Sequence, residues 1–323
     1  MTPVPVPAEP AGAPGVPGVV VAIPTYRRPE SLARLVRAVL AQATEVDADV
    51  RVLVIDNDPG GSARDVVHAV AGSALGYRHE PRPGLAAVRN RALDESADAD
   101  ALVFIDDDET PAAGWLAALL DVWTTRRCDA VAGPAVKQLP DDVDGWVRGS
   151  GHFADRRRPS GTVVAGAATN NLLLDRRAVD RFGVRFDERF GLSGGEDTLF
   201  TRTLVRRGGT VVWCDEAVVE DPVPADRATR RWVLRRSFRT GTTWSRVHVT
   251  LAGTRRARWR QRAELTARGA WSVLRGAAGA VRGAVTGSLP RRAGGERDLA
   301  SGLGVLLGVA GLTFREYGRP TRR

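Results

Sequence analysis

Cysteine is nearly missing from this chain. Among 323 residues only Cys128 and Cys214 occur, outside any C-x-x-C spacing, so neither a disulfide framework nor a zinc site is supported. A reducing cytoplasm fits that usage. Lysine is almost as scarce, since Lys137 is the only lysine among 47 basic residues. Schiff-base and lysine-nucleophile mechanisms are therefore set aside. The longest uncharged apolar run, Leu299 to Phe314, has 16 residues, short of the roughly 20 that span a bilayer. A soluble or peripheral protein is expected. Residues 1–18 hold six prolines and one charged residue, Glu9, with no basic segment and no apolar core of a secretory signal. They read as a disordered proline-rich leader. His68, His79, His152 and His248 are scattered without ligand spacing and read as ordinary histidines.

What is present is a body of 43% hydrophobic and 26% charged residues, ample for a large α/β core. Charge is unevenly placed. Residues 223–323 carry 22 Arg against 5 acidic residues, a surplus of 17, whereas residues 1–222 carry 25 basic against 33 acidic, a deficit of 8. An acidic body thus precedes a basic tail. Within the body, residues 18–24 (GVVVAIP) form an apolar β-branched run, and Pro29 opens a segment with Leu32, Leu35, Val36, Val39 and Leu40 at helical spacing. The unit repeats with Val50 to Ile55 before Val66, Val67 and Val70, and again with Ala101 to Ile105 after a helix around Leu85 to Ser96. Further short strands are expected at Leu172 to Leu174 and Thr210 to Trp213, with a helix through Leu199 and Leu204 between them. Such alternation predicts a mostly parallel sheet with helices on both faces. Between Lys137 and Thr162 no apolar period is visible, and a long loop is expected.

In such sheets ligands sit beyond the carboxyl ends of the strands. There the sequence places Asp56-Asn57-Asp58 and Asp106-Asp107-Asp108-Glu109. Four successive carboxylates after a buried strand repel one another unless a cation sits among them. Oxygen ligands point to Mg²⁺ or Mn²⁺, which takes one or two carboxylates and leaves other positions to phosphate oxygens. The alternative is a solvated acidic turn. A second acidic pair, Glu196-Asp197, follows Gly194-Gly195 and opens the Leu199 helix, where it serves either as a helix cap or as a catalytic carboxylate.

The ordered segments PTYRRP, VIDND, GLAAVRNRAL, FIDDDETP and FDERFGLSGGEDTLF resemble those of family 2 glycosyltransferases with the GT-A fold, over about Val19 to Trp244. The resemblance implies a nucleotide-diphospho-sugar donor, a divalent metal on the D-x-D motif, and single displacement with inversion. Carried over by position, Thr25, Arg27, Asp56 and Arg89 hold the nucleotide. Asp106 and Asp108 form the D-x-D pair, with Asp108 the direct metal ligand and Asp106 or Asp107 toward the ribose and metal-bound water. Asp197 takes the place of the general base and Glu196 that of its acceptor-orienting neighbour. Two departures matter. Glu220-Asp221 stands where many relatives place a histidine near the metal, so Glu220 is carried as a candidate ligand. Arg227 to Trp232 is one residue too long for the Q/R-x-x-R-W signature of processive relatives. Processive synthesis is not expected, and Arg227 and Arg231 are kept as diphosphate clamps or as a solvated helix face.

The expected organisation is the leader, a GT-A catalytic domain at 19–222, and an arginine-rich helical region at 223–323. In the last, Arg268, Arg275 and Arg282 recur every seven residues beside Trp271, Leu274, Ala278, Val281 and Val285. Such a helix either lies on an anionic membrane or packs on the catalytic domain. Nucleic-acid binding is the rival from another class, without a recognised motif and with few interleaved aromatics. The acceptor is read as a saccharide or a lipid-linked saccharide at the inner face of the plasma membrane. A sugar-nucleotide binding protein without catalysis is the alternative function.

Overall fold

The computed structural model describes residues 16–70, 75–155 and 157–312. All but the end of the leader lies outside the described residues, as does the end of the Leu299 to Phe314 run. The first strand, β1 (Gly18–Thr25), is buried over all but its first residue. Its side chains feed two cores. Val19, Val21 and Ile23 pack on one face of the sheet, whereas Val20 and Ala22 pack on the other. Burial on both faces explains why its sequence is continuous and not alternating.

The chain continues through α1 (Pro29–Ala43), β2 (Asp49–Asp56), α2 (Arg64–Val70), β3 (Leu75–His79), α3 (Leu85–Glu95) and β4 (Ala101–Ile105). It then runs through β5 (Thr110–Pro111), α4 (Trp115–Arg126), β6 (Ala130–Ala132), β7 (Ala135–Gln138), α5 (Gly145–Gly149), β8 (Val163–Val164) and β9 (Asn171–Asp175). After α6 (Arg176–Phe182) come α7 (Glu196–Arg206), β10 (Val211–Trp213) and β11 (Val219–Pro222). An eight-stranded sheet has the order β3-β2-β1-β4-β9-β6-β10-β8, and a small second sheet the order β5-β11-β7. Strands β3, β2, β1 and β4 are mutually parallel, whereas β9 runs antiparallel to both β4 and β6. Leu32, Leu35 and Trp115 of α1 and α4 cover one face, and Val88, Leu93, Phe200 and Leu204 of α3 and α7 cover the other. This is the expected α/β architecture, with the carboxyl ends of β1, β2 and β4 on one edge.

The expected loop between Lys137 and Thr162 is not structureless. It contains the one-turn helix α5, capped by Asp144, whose side chain accepts from Trp146 N. Trp146 and Val147 are buried against Val233 and Ala293 of the tail, so their partners lie far along the chain and leave no local period.

The tail forms three helices, α8 (Arg230–Leu251), α9 (Arg255–Val285) and α10 (Leu289–Val309). Glycine would weaken α9 in isolation, yet Gly269, Gly276 and Gly283 are buried and lie against α10. A Cβ on Gly276 would meet the Leu299 backbone, and one on Gly304 of α10 would overlap the Phe238 carbonyl of α8. The glycines are thus the contact surface of a close three-helix packing. Val247 of α8 packs with Phe190 and Leu199 of the body. Among the described residues no helix is long and apolar enough to cross a membrane.

Candidate active site

The site begins where β1 and β4 part, at the carboxyl edge of the sheet. Thr25 ends β1, and its Oγ1 donates to Asp107 Oδ2 at 2.7 Å, with Tyr26 N on the same oxygen at 3.3 Å. Arg28 closes the other side, with Nη1 2.7 Å from Asp107 Oδ1 and 2.8 Å from Asp108 Oδ2. Asp107 is buried, so its carboxylate ties the two strand ends together. Burial pushes its carboxyl above the ordinary value, with Arg28 and Thr25 opposing. Asp106 and Asp108 flank it and are more open, with 38% and 29% of their side chains exposed.

Asp56 ends β2 with no exposed surface. Its oxygens accept from Asp58 N and Ala63 N, each at 2.8 Å, and from the Tyr77 hydroxyl at 3.3 Å. Both Asp56 oxygens are thus engaged by the loop that follows β2 and by Tyr77 of β3. Arg27 adopts a left-handed φ of 56°, and its Nε lies 2.8 Å from Asp58 Oδ1. The aspartate that meets it is thus Asp58, two residues beyond Asp56.

Arg89 of α3 is buried between the two acidic clusters. Its guanidinium pairs with Glu196 Oε1 and stands 3.8 Å from Asp106 Oδ1. It therefore ties the D-x-D loop to the start of α7. Burial drives the Glu196 carboxyl up to about 7, with Arg89 opposing and Asp197 adding to the shift. Burial likewise drives Asp106 up to about 6, against Arg89 and with Asp108, Asp107 and Asp197 contributing. Asp197 is half-buried, and its Oδ1 accepts from Thr198 N at 2.6 Å. Asp197, Glu196, Arg89 and Asp106 thus form one electrostatic group. The loop before them turns through Gly194 and Gly195, at φ 78° and 90°, values that favour glycine. Arg246 of α8 holds it by donating to Ser193 Oγ at 2.6 Å and to the Arg189 carbonyl at 2.7 Å.

Two further side chains, whose partners the sequence did not indicate, complete the surroundings. Glu109 is buried, accepts from Asp106 N at 3.2 Å and from Asn170, and is held well above its ordinary pKa by burial and by Asp106. Lys137 pairs with Asp221 and is drawn below its ordinary pKa by burial, with Glu109, Asp106 and Asp108 opposing. The register sets Asp221 across from Lys137 and Glu220 across from Val136. Successive strand residues face opposite ways, so Glu220, which is exposed, points away from the side on which Lys137 meets the carboxylates. The structure thus does not bring Glu220 to the side on which Asp221 meets Lys137. Arg227 lies in the turn before α8 and Arg231 is exposed in its first turn. The α8 arginine felt by Lys137 is Arg236, one turn further on. Cys128 and Cys214 are free and buried.

A divalent cation fits the donor set. Asp106 and Asp108 present accessible oxygens in a region crowded with carboxylates, where added positive charge relieves repulsion. Among the described residues no three His, Cys, Asp or Glu side chains converge on one point. Mg²⁺ commonly takes so few protein ligands when phosphate oxygens and water complete its shell.

The fold is that of a GT-A glycosyltransferase. The sequence profile of "Glycosyl transferase family 2" matches residues 20–183, and the chain belongs to that family. It is 38% identical over 239 residues to the succinoglycan biosynthesis protein ExoM of Rhizobium meliloti (strain 1021), covering 73% of this chain and 76% of ExoM. Among solved structures, S. aureus TarS 1-349 superposes with a TM-score of 0.52 at 14% identity, covering 86% of this chain and 90% of that one. GalNAc-T7, solved with UDP, GalNAc and Mn²⁺, gives 0.51 at 13% identity over 71% of this chain. The match spans about half of the GalNAc-T7 chain, 51%. These likenesses establish the GT-A fold, and the family establishes glycosyl transfer as the activity.

Proposed function

We propose that this enzyme moves a sugar from a nucleotide-diphospho-sugar to a saccharide or lipid-linked acceptor, with inversion and with Mg²⁺ or Mn²⁺ assistance. The observation that carries the reading is Arg89, buried between Asp106 on the donor side and Glu196 on the acceptor side. That contact supports reading the two acidic clusters as the two halves of one displacement reaction. Asp197 accepts the proton that the acceptor hydroxyl loses as it attacks, and Glu196 orients that hydroxyl. Asp108 and Asp106 hold the cation, which when bound supplies positive charge to the diphosphate. Thr25 and Arg27 line the donor pocket, and Asp107 and Asp56 keep its loops in place. Lys137 adds a protein cation beside the carboxylates, and Arg227 and Arg231 serve as clamps on the diphosphate.

The likeness to ExoM, a succinoglycan biosynthesis protein, supports a polysaccharide-building step. We place that step in cell-envelope polysaccharide synthesis, on the cytoplasmic side and peripheral to the inner face of the plasma membrane. Calorimetric titration of nucleotide-diphospho-sugars with Mn²⁺ tests the donor assignment. Binding that disappears on chelation and weakens in Asp108→Asn supports it, whereas unchanged affinity in Asp108→Asn moves the cation elsewhere.

A further inference from the structure

Helix α9 turns its glycines inward and a large apolar surface outward. Gly269, Gly276 and Gly283 are buried against α10. Trp271, Leu274, Val281 and Val285 fall on the opposite side of the helix at 100° per residue, and they are 66%, 66%, 64% and 81% exposed. Ala267, Ala270 and Ala278 fill the gaps between them and are also exposed. Four large apolar side chains in one exposed stripe are more than scattered surface hydrophobics, and a stripe of this kind marks an interaction surface.

The charges around the stripe identify what it fits. Arg268, Arg275 and Arg282 run along one border, all exposed. Arg268 pairs with Glu264 and Arg275 with Asp298 at the surface. The first eight residues of α9, Arg255 to Arg262, hold five arginines around Trp259, which is 76% exposed. Five cations at a helix N-terminus repel one another and oppose the helix dipole, a cost that an anionic surface removes. A second copy of the chain does not fit, because two tails with a surplus of 17 positive charges each would be brought together. Nucleic acid would match the arginines but leave the Leu, Val and Trp stripe uncovered. A sheet of anionic headgroups over acyl chains matches both.

We propose that the outward face of α9 docks in the plane of an anionic lipid surface, with Trp271, Leu274, Val281 and Val285 below the headgroups and the arginines among them. This deepens the peripheral reading given above by naming the surface and its lipid charge. The docked hairpin is coupled to the site through α8. Gly304 and Gly308 of α10 pack on Phe238 and Thr242, and Arg246 of the same α8 holds the loop that precedes Asp197. A lipid-linked acceptor would thus meet an acceptor loop fastened to the helices that touch its membrane.

Flotation of the full chain with vesicles of phosphatidylcholine, with and without phosphatidylglycerol, tests the proposal and needs neither donor nor acceptor. The wild type is expected to float with the anionic vesicles, less with the neutral ones, and less again in high salt. Leu274→Glu with Val281→Glu, at exposed positions, should abolish flotation while the circular-dichroism melt and metal-dependent donor hydrolysis are kept. Arg256→Gln, Arg260→Gln and Arg282→Gln should each lower partitioning by about five-fold, the equivalent of about 1 kcal/mol per charge. Three results overturn the proposal: no flotation of the wild type, flotation unaffected by the Leu274 and Val281 changes, or a dimer in sedimentation that those changes disperse while vesicles are ignored. A salt-sensitive gel shift with nucleic acid in the absence of vesicle binding also overturns it. Loss of donor hydrolysis in the wild type would instead count against the transferase reading and leave the docking result standing.

Discussion

Replacing Arg89 with methionine tests the bridge at the centre of the site. Glu196 is 2% exposed, and burial moves its carboxyl from 4.5 to about 7 even with Arg89 beside it. That displacement corresponds to roughly 3 kcal/mol. The folded pKa lies above the unfolded one, so this group's stabilisation is fully present below about pH 4.5 and is lost as pH rises through about 7. Arg89→Met removes the compensating charge. At about pH 8 the variant must bury an unpaired carboxylate, at a cost of roughly 3–5 kcal/mol, or take up a proton. At about pH 5 Glu196 is already neutral, and the penalty should shrink to about 1 kcal/mol, the scale of a lost packing contact. Urea melts at the two pH values measure the difference. The double variant Arg89→Met with Glu196→Gln should recover most of the loss at the higher pH, because position 196 then buries no charge. Equal penalties at both pH values, or no rescue in the double variant, would refute the argument.

Two other substitutions probe the frame of the site. Thr25→Val deletes the hydroxyl that donates to buried Asp107 and should cost roughly 1.5–3 kcal/mol in a chemical melt, as for a hydrogen bond to a charged group, with Thr25→Ser close to wild type. An unchanged midpoint in Thr25→Val would show that Asp107 does not depend on it. Gly195→Ala imposes a side chain at φ 90° that would overlap Thr243 of α8, so a loss of roughly 1–3 kcal/mol is expected together with slower transfer. A stable, fully active Gly195→Ala protein would mean that the acceptor loop has room that the structure denies it.

The parts of the molecule legible in the sequence are those whose information is local. The apolar run of β1, the carboxylates from Asp106 to Glu109 and the Gly-Gly turn before Glu196 announce themselves because burial, repulsion and positive φ each demand particular residues within a few positions. Long-range pairing was harder to read. Arg89 and Glu196 are 107 positions apart, and Lys137 and Asp221 are 84 apart. Only the register of β7 against β11 reveals that Asp221 and not Glu220 faces Lys137. Helix α5 was invisible for the same reason, since Trp146 donates to Glu296, 150 positions downstream. Asp56 and Asp107 stand where donor ligands are expected, and both oxygens of each are engaged, those of Asp56 by the loop that follows it and those of Asp107 by Thr25 and Arg28 at the end of β1. Residue type and order specify the position, and the loop geometry decides what the side chain does there.

The central claim is that Asp197 is the general base on the acceptor side of a site whose donor side is built on Asp106 and Asp108. The most direct measurement is transfer by Asp197→Asn, with donor affinity determined in parallel on the same preparation. Asparagine keeps the volume and an oxygen to accept from Thr198 N but cannot take the acceptor's proton. Donor and metal affinity should stay at the wild-type level, while transfer falls by roughly 10²-fold to 10⁴-fold, the contribution of a positioned base. Wild-type turnover by Asp197→Asn would leave Asp197 as an acidic residue of the first helical turn and contradict the account.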